Sequence, residues 1–175
     1  LSIFNLALQK CLCISPSVRK RHVVIVSSLI IALVLQIVPL PIQVDLYRPD
    51  WVLVVLSYWC MALPHRVNVG IAFVTGIAVD ILVGTTLGIH SLGLSICVYI
   101  LAANYQRLRN YSVWQQAIVI GLLSSLYHLL TFWVQHLLTD IYFQVDYLWP
   151  VLTSMVIWPW VFWLLRKTRR QLSIT

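Results

Sequence analysis

The sequence predicts an all-α membrane protein with six transmembrane helices. Three features point there. Of 175 residues, 61% are hydrophobic and only 10% charged, where an ordinary soluble domain has about a quarter charged. The apolar residues fall into long runs, several near the length that crosses a bilayer. The basic residues sit in short clusters between those runs, the positive-inside pattern of a polytopic protein. No polar stretch is long enough to hold a soluble domain, so a single membrane domain is expected.

Residues 1–21 read as a basic cytoplasmic segment, with Lys10, Arg19, Lys20 and Arg21. Leu1, Phe4, Leu8 and Leu12 fall at helical spacing, which suits a short surface helix stopped by Pro16. The membrane domain is expected over residues 22–165. Its first span, 23–40, ends at Pro39 and Pro41, and no small-x-small cleavage site follows it, so it reads as an uncleaved span. The next loop carries Asp45 and Asp50 against Arg48. Arg48-Pro49-Asp50-Trp51 reads as helix-start chemistry: a proline for the first turn, a carboxylate at the positive end, an interfacial tryptophan.

The second span, 51–64, is short. Its first thirteen residues rise about 20 Å, against roughly 30 Å of hydrocarbon. A re-entrant hairpin is the alternative, but it would leave Arg66 at membrane depth with no acid near it in sequence. A short crossing is preferred, with His65 and Arg66 in a cytoplasmic turn. From Val67 to Ala103, Asp80 is the only charged residue. That stretch suits span three at 67–83, a turn between Gly84 and Gly88, and span four at 89–104. Arg107 and Arg109 mark an inner loop, and span five follows at 114–135. Asp140 and Asp146 mark an outer loop, span six covers 148–165, and residues 166–175 form a basic cytoplasmic tail.

Six crossings with both termini in the cytoplasm place eleven of the twelve Lys and Arg residues inside, with Arg48 alone outside. Trp51, Trp133 and Trp149 then lie near the outer interface. Trp59, Trp114, Trp160 and Trp163 lie near the inner one.

One stretch stands out within this plan. Asn68, Ala72, Gly76, Asp80, Gly84 and Gly88 recur every four residues. Small residues at that spacing let another helix approach closely, so the stripe reads as a packing face or a partner-helix face. A carboxylate in a span is costly and needs a reason. Depth places Asp80 in the outer part of span three, near His90 at the start of span four and His128 in span five. These three form a candidate intramembrane polar cluster. Such a set is also able to ligate a metal, but hydrogen bonding within the bundle is the preferred reading, with no metal or other cofactor.

Several function classes are disfavoured. The net charge of +7 is distributed by topology rather than as a nucleic-acid-binding patch. Cys11, Cys13, Cys60 and Cys97 fall in no outer loop, and Cys11-x-Cys13 is not a zinc spacing. No Walker loop, GxGxxG or HExxH is present. Ser124 and His128 are spaced i, i+4 and able to touch, but no oxyanion hole or substrate path accompanies them.

The ordered combination of motifs resembles a known family. Arg48-Pro49-Asp50-Trp51 is followed by Leu63-Pro64-His65-Arg66-Val67, then Gly70 and Gly76-x-x-x-Asp80-x-x-x-Gly84-x-x-x-Gly88. Arg107-Leu108-Arg109 and Trp114-Gln115-Gln116 complete the series. Over residues 47–135 the chain resembles the MreD family of rod shape-determining proteins of the bacterial inner membrane. The resemblance implies a six-helix fold like the substrate-binding subunits of energy-coupling vitamin transporters. It implies a non-enzymatic scaffold of the cell-wall elongation complex, working with MreC, the MreB filament, and the glycosyltransferase and transpeptidase that build peptidoglycan. A small-molecule-binding subunit of a vitamin-type transporter is the alternative, since it would share the fold.

Overall fold

A computed structural model describes residues 16–38, 47–64, 66–138 and 148–171. These residues are all-helical, with seven helices: α1 Pro16–Ile37, α2 Trp51–Ala62, α3 Val69–Val83, α4 Ile89–Ala103, α5 Tyr105–Asn110, α6 Val113–Leu138 and α7 Leu148–Gln171. Residues 1–15, 39–46, 139–147 and 172–175, together with His65, lie outside the described set.

The helices lie along the apolar runs of the sequence, with informative differences at their ends. Pro16 begins α1, as suits a residue with no N–H to leave unpaired in the first turn; the short surface helix expected before it lies outside the described residues. The expected inner loop after span four contains the short helix α5. The last helix runs on through Arg166–Arg170 to Gln171, so much of the basic tail is helical.

The bundle is built around α2. Every residue from Val52 to Met61 is buried, and α2 packs against α1, α4, α5, α6 and α7. A helix that is apolar all round belongs inside a bundle, and that is why this span shows no polar face. Trp59, expected in the inner aromatic belt, is instead 0% exposed. Its indole N–H donates to Ser28 Oγ of α1 at 2.8 Å, so a buried donor finds a partner and ties α1 to the central helix. Trp114, Trp133, Trp149, Trp160 and Trp163 are exposed.

The closest helix pair is α3 with α4. At Gly76 a Cβ would lie 2.2 Å from the Ser91 Cα, so the crossing exists only because residue 76 has no side chain. Gly84 ends α3 with φ 74°, and Gly88 precedes α4 with φ 109°. Both fall in the left-handed region that glycine enters without a Cβ penalty.

The outside of the bundle is apolar as well. Val26, Ile30, Val74, Ile81, Leu122 and Val156 are all exposed. Exposed apolar surface on this scale marks contact with lipid or a partner. Among the described residues, one helix, Val113–Leu137, is long and apolar enough by itself to cross a membrane. Residues Val23–Ile37, Trp51–Ala62, Val69–Val83 and Ile89–Ala103 are shorter apolar helices.

The Gly76 contact has a direct test. Gly76→Ala should destabilise the protein by about 1–3 kcal/mol through overpacking, while Val74→Ala on the exposed face of the same helix should stay within about 0.5 kcal/mol. Reversible unfolding of the purified protein in mixed micelles measures both.

Candidate functional site

The polar residues of the interior gather around two aspartates. Asp80 sits in the last turn of α3 and is 0% exposed. Its main-chain carbonyl accepts from Gly84 N at 3.0 Å and Thr85 N at 3.1 Å. Its carboxylate accepts from Thr85 Oγ1 at 3.2 Å, Gly88 N at 2.8 Å and His90 N at 3.0 Å. One residue thus holds the turn from both main chain and side chain.

The contact also caps a helix. Gly88 is the N-cap of α4 and has no side chain to offer. The open N–H groups at Gly88 and His90 are satisfied by Asp80, reaching across from the preceding helix. A carboxylate at a helix N-terminus is favoured by both the hydrogen bonds and the helix dipole. The charge in the span therefore has an ordinary structural occupation.

The second centre is Asp50, 6% exposed, at the start of α2. It occupies the N-cap position, but its side chain does not cap the helix. The carboxylate turns to α6, where it accepts a hydrogen bond from Ser124 Oγ. His128 Nε2 lies 3.0 Å from the same carboxylate oxygen. The Asp50 backbone N–H donates to Ser154 Oγ of α7 at 3.0 Å. Asp50 does stand at the helix start, as its Pro-Asp-Trp context suggests, but its carboxylate bonds Ser124 and His128 across the bundle instead of capping its own first turn.

Tyr127 stands between the centres. Its hydroxyl is 2.8 Å from His90 Nδ1, and its ring meets His128 edge-on at 5.4 Å between centroids. The expected cluster of Asp80, His90 and His128 is therefore divided. Asp80 binds the backbone of His90, while the His90 imidazole goes to Tyr127 and the His128 imidazole to Asp50. The Asp80 oxygens are instead taken up by the Thr85 hydroxyl and the Gly88 and His90 N–H groups of the turn.

This division bears on chemistry. Among the described residues, no group of three His, Cys, Asp or Glu side chains converges on a metal position. Ser124 and His128 both bind Asp50, so the carboxylate lies between serine and histidine. A hydrolytic triad needs the imidazole between them, as the base on the hydroxyl. The void beside Asp50, Gln36 and Tyr127 holds only about 10 Å³, room for about one water and not for a substrate.

The middle of the packing stripe is occupied within the chain. Ala72, Gly76 and Asp80 are buried, with Gly76 against Ser91. Asn68 caps α3 by accepting from Gly70 N at 3.2 Å. Gly84 is exposed and Gly88 half-buried in the turn. Arg66 lies in a tight turn in which its N–H and that of Val67 both reach the Leu63 carbonyl at 3.0 Å. Its expected companion, His65, is outside the described residues.

Residues 18–168 match the family described as rod shape-determining protein MreD. The chain belongs to that family. It is also 39% identical over 150 residues to the rod shape-determining protein MreD of Haemophilus influenzae, covering 86% of this chain and 93% of that protein. No solved structure matches, so the likeness to vitamin-transporter subunits rests on the resemblance noted from the sequence. The family match contains every residue of both aspartate centres, and it makes this a membrane protein of the rod-shape system.

Sequence reasoning identified Asp80 and the pair Ser124 and His128, but not the acceptor they share. A usable signal was present. In an alternating topology the start of span two and the later half of span five lie at one depth, so Asp50 was the acid available to that pair.

Both centres make measurable predictions. Asp80→Asn keeps the shape but turns an NH₂ group toward a turn donor, so stability should fall by about 1.5–3 kcal/mol. Asp80→Leu should lower it further. In a double-mutant cycle, Asp50→Asn and His128→Gln should couple by at least about 0.5 kcal/mol, and Asp80→Asn with His128→Gln should couple less, because these two share no partner.

Proposed function

We propose that this chain is a non-enzymatic scaffold of the wall-elongation complex. In this reading it crosses the inner membrane six times through residues 22–165, with 1–21 and 166–175 on the cytoplasmic side. It links MreC and MreB to the glycosyltransferase and transpeptidase of peptidoglycan synthesis.

Family membership supports the setting. The observation that carries the scaffold reading is the use of the buried polar groups. Asp50, Asp80, Ser124, Ser154, His90 and His128 all bond across or between helices. With the Asp50 carboxylate between Ser124 and His128, no imidazole is placed as the base on that hydroxyl. The separation of positive charge along the sequence supports the topology.

The docking face for a partner's single span is read as the exposed side of α3, beside the stripe rather than on it. Val74 and Ile81 are 66% and 65% exposed, and a seven-residue separation puts them on one face. Gly76 and Gly84 are poor probes of docking, since a side chain at either strains the hairpin itself.

Depleting the protein in a rod-shaped host should produce rounded cells. Cells that keep their shape but acquire a vitamin requirement would instead identify a transporter subunit. Ser124→Ala should restore rods at matched protein level, whereas a hydrolytic role for that serine requires rounding. Val74→Ala with Ile81→Ala should keep the bundle folded and reduce recovery of MreC several-fold; undiminished recovery removes α3 as the docking face.

A further inference from the structure

At the end of the bundle opposite the aspartates lies a cleft of about 340 Å³, within the usual range for small-molecule sites. It is closed by the end of α2, by α5, by the first turns of α6 and by the last turns of α7. Arg109, Arg166 and Arg169 line it, together with Gln116, and Met61 and Phe162 supply apolar wall. Arg166 and Arg169 share one face of α7 by their spacing, and the Arg166 guanidinium is set over the Phe162 ring, 5.9 Å from its centroid.

Two observations point to the occupant. The first is unbalanced charge. The chain has five acidic residues, all aspartate, and among the described residues none of the three cleft guanidiniums meets a carboxylate. Arginine forks match phosphate oxygens in geometry and charge. The second is Gln116, buried at 5% exposure. Its Nε2 donates to the carbonyls of Leu108 at 3.0 Å and Tyr111 at 3.3 Å. Those two acceptors fix which end of the amide is nitrogen. Its Oε1 is then a buried acceptor with no protein partner, and such an atom calls for a hydroxyl or other donor.

We propose that this cleft binds a phosphate ester that also carries a hydroxyl, supplied by the glycerol-phosphate head group of an anionic phospholipid. The phosphate engages Arg109, Arg166 and Arg169. A head-group hydroxyl donates to Gln116 Oε1, and the lipid's apolar part lies along Met61 and Phe162. On the proposed topology the cleft opens at the cytoplasmic leaflet, where basic pockets between helices meet anionic lipids.

The full-length protein, purified with native lipids and re-equilibrated with mixed phosphatidylglycerol and phosphatidylethanolamine, tests this by native mass spectrometry. The triple variant R109Q/R166Q/R169Q should weaken retention of phosphatidylglycerol about tenfold, a change of about 1.4 kcal/mol. The charge-matched control R107Q/K167Q/R170Q should keep it within about twofold. R109K/R166K/R169K, which preserves charge and removes the forks, should fall between them and stands in if the Gln variant does not fold. Equal loss in the pocket and control variants means diffuse surface attraction and overturns the site, as does undiminished retention in the pocket variant. Glycerol 3-phosphate in solution distinguishes the source. If it displaces the lipid and raises Tm alone at millimolar concentration, the cleft takes the free ester; if it does neither, the lipid is the ligand.

Discussion

The Asp80 carboxylate is the constraint from which much of this structure follows. A carboxyl group buried in an apolar bundle is costly unless its oxygens are met by hydrogen-bond donors. Here the donors come from the turn that follows, Thr85, Gly88 and His90. That requirement fixes where α3 ends, how tightly the chain turns, and where α4 begins. It also demands that the two helices lie close, and Gly76 against Ser91 is how they do so. The four-residue stripe is therefore one device: small residues set the distance, and the aspartate sets the register.

Asp50 applies the same logic across the bundle rather than along a hairpin. Its carboxylate joins the start of α2 to α6, while its backbone N–H joins it to α7. With the Trp59 bond to Ser28, the central helix is tethered by polar contacts toward both of its ends. Between them its ten buried residues make apolar contacts that specify depth and rotation only weakly. In a lipid setting, where burial of apolar surface does not distinguish helix from solvent, packing and hydrogen bonds carry that specification.

Much of this was legible in the sequence, and the reasons for the remainder are physical. The helical class followed from apolar run lengths and the positions of proline and basic residues. Asp80 was legible because an isolated charge among apolar residues has to be explained. Its partner groups were not, because backbone N–H groups leave no mark in a sequence and the two histidines did. Trp59 was misplaced for a related reason: an indole near the end of a span suits an interface equally well until Ser28 is known to face it. Asp50 sat in a Pro-Asp-Trp context that already suits a helix start, so its second role showed only in its matching depth with Ser124 and His128. The rotation of each helix, which decided all three, is weakly encoded where both faces are apolar.

Helix length connects the aspartate to the membrane. α2, α3 and α4 have 12, 15 and 15 residues, rises of about 18 to 22 Å against a hydrocarbon thickness of about 30 Å. α6 with 26 residues rises about 39 Å. Non-helical backbone within an apolar membrane bundle is tolerated only where its polar groups are satisfied by protein. Asp80 meets that condition: with main chain and side chain together it accepts from Gly84, Thr85, Gly88 and His90. A carboxylate that looks expensive in a span is thus what allows the hairpin to be short. Replacing it with an apolar residue would take the acceptor away from the Gly88 and His90 N–H groups, in a turn joining two helices whose crossing is fixed at Gly76.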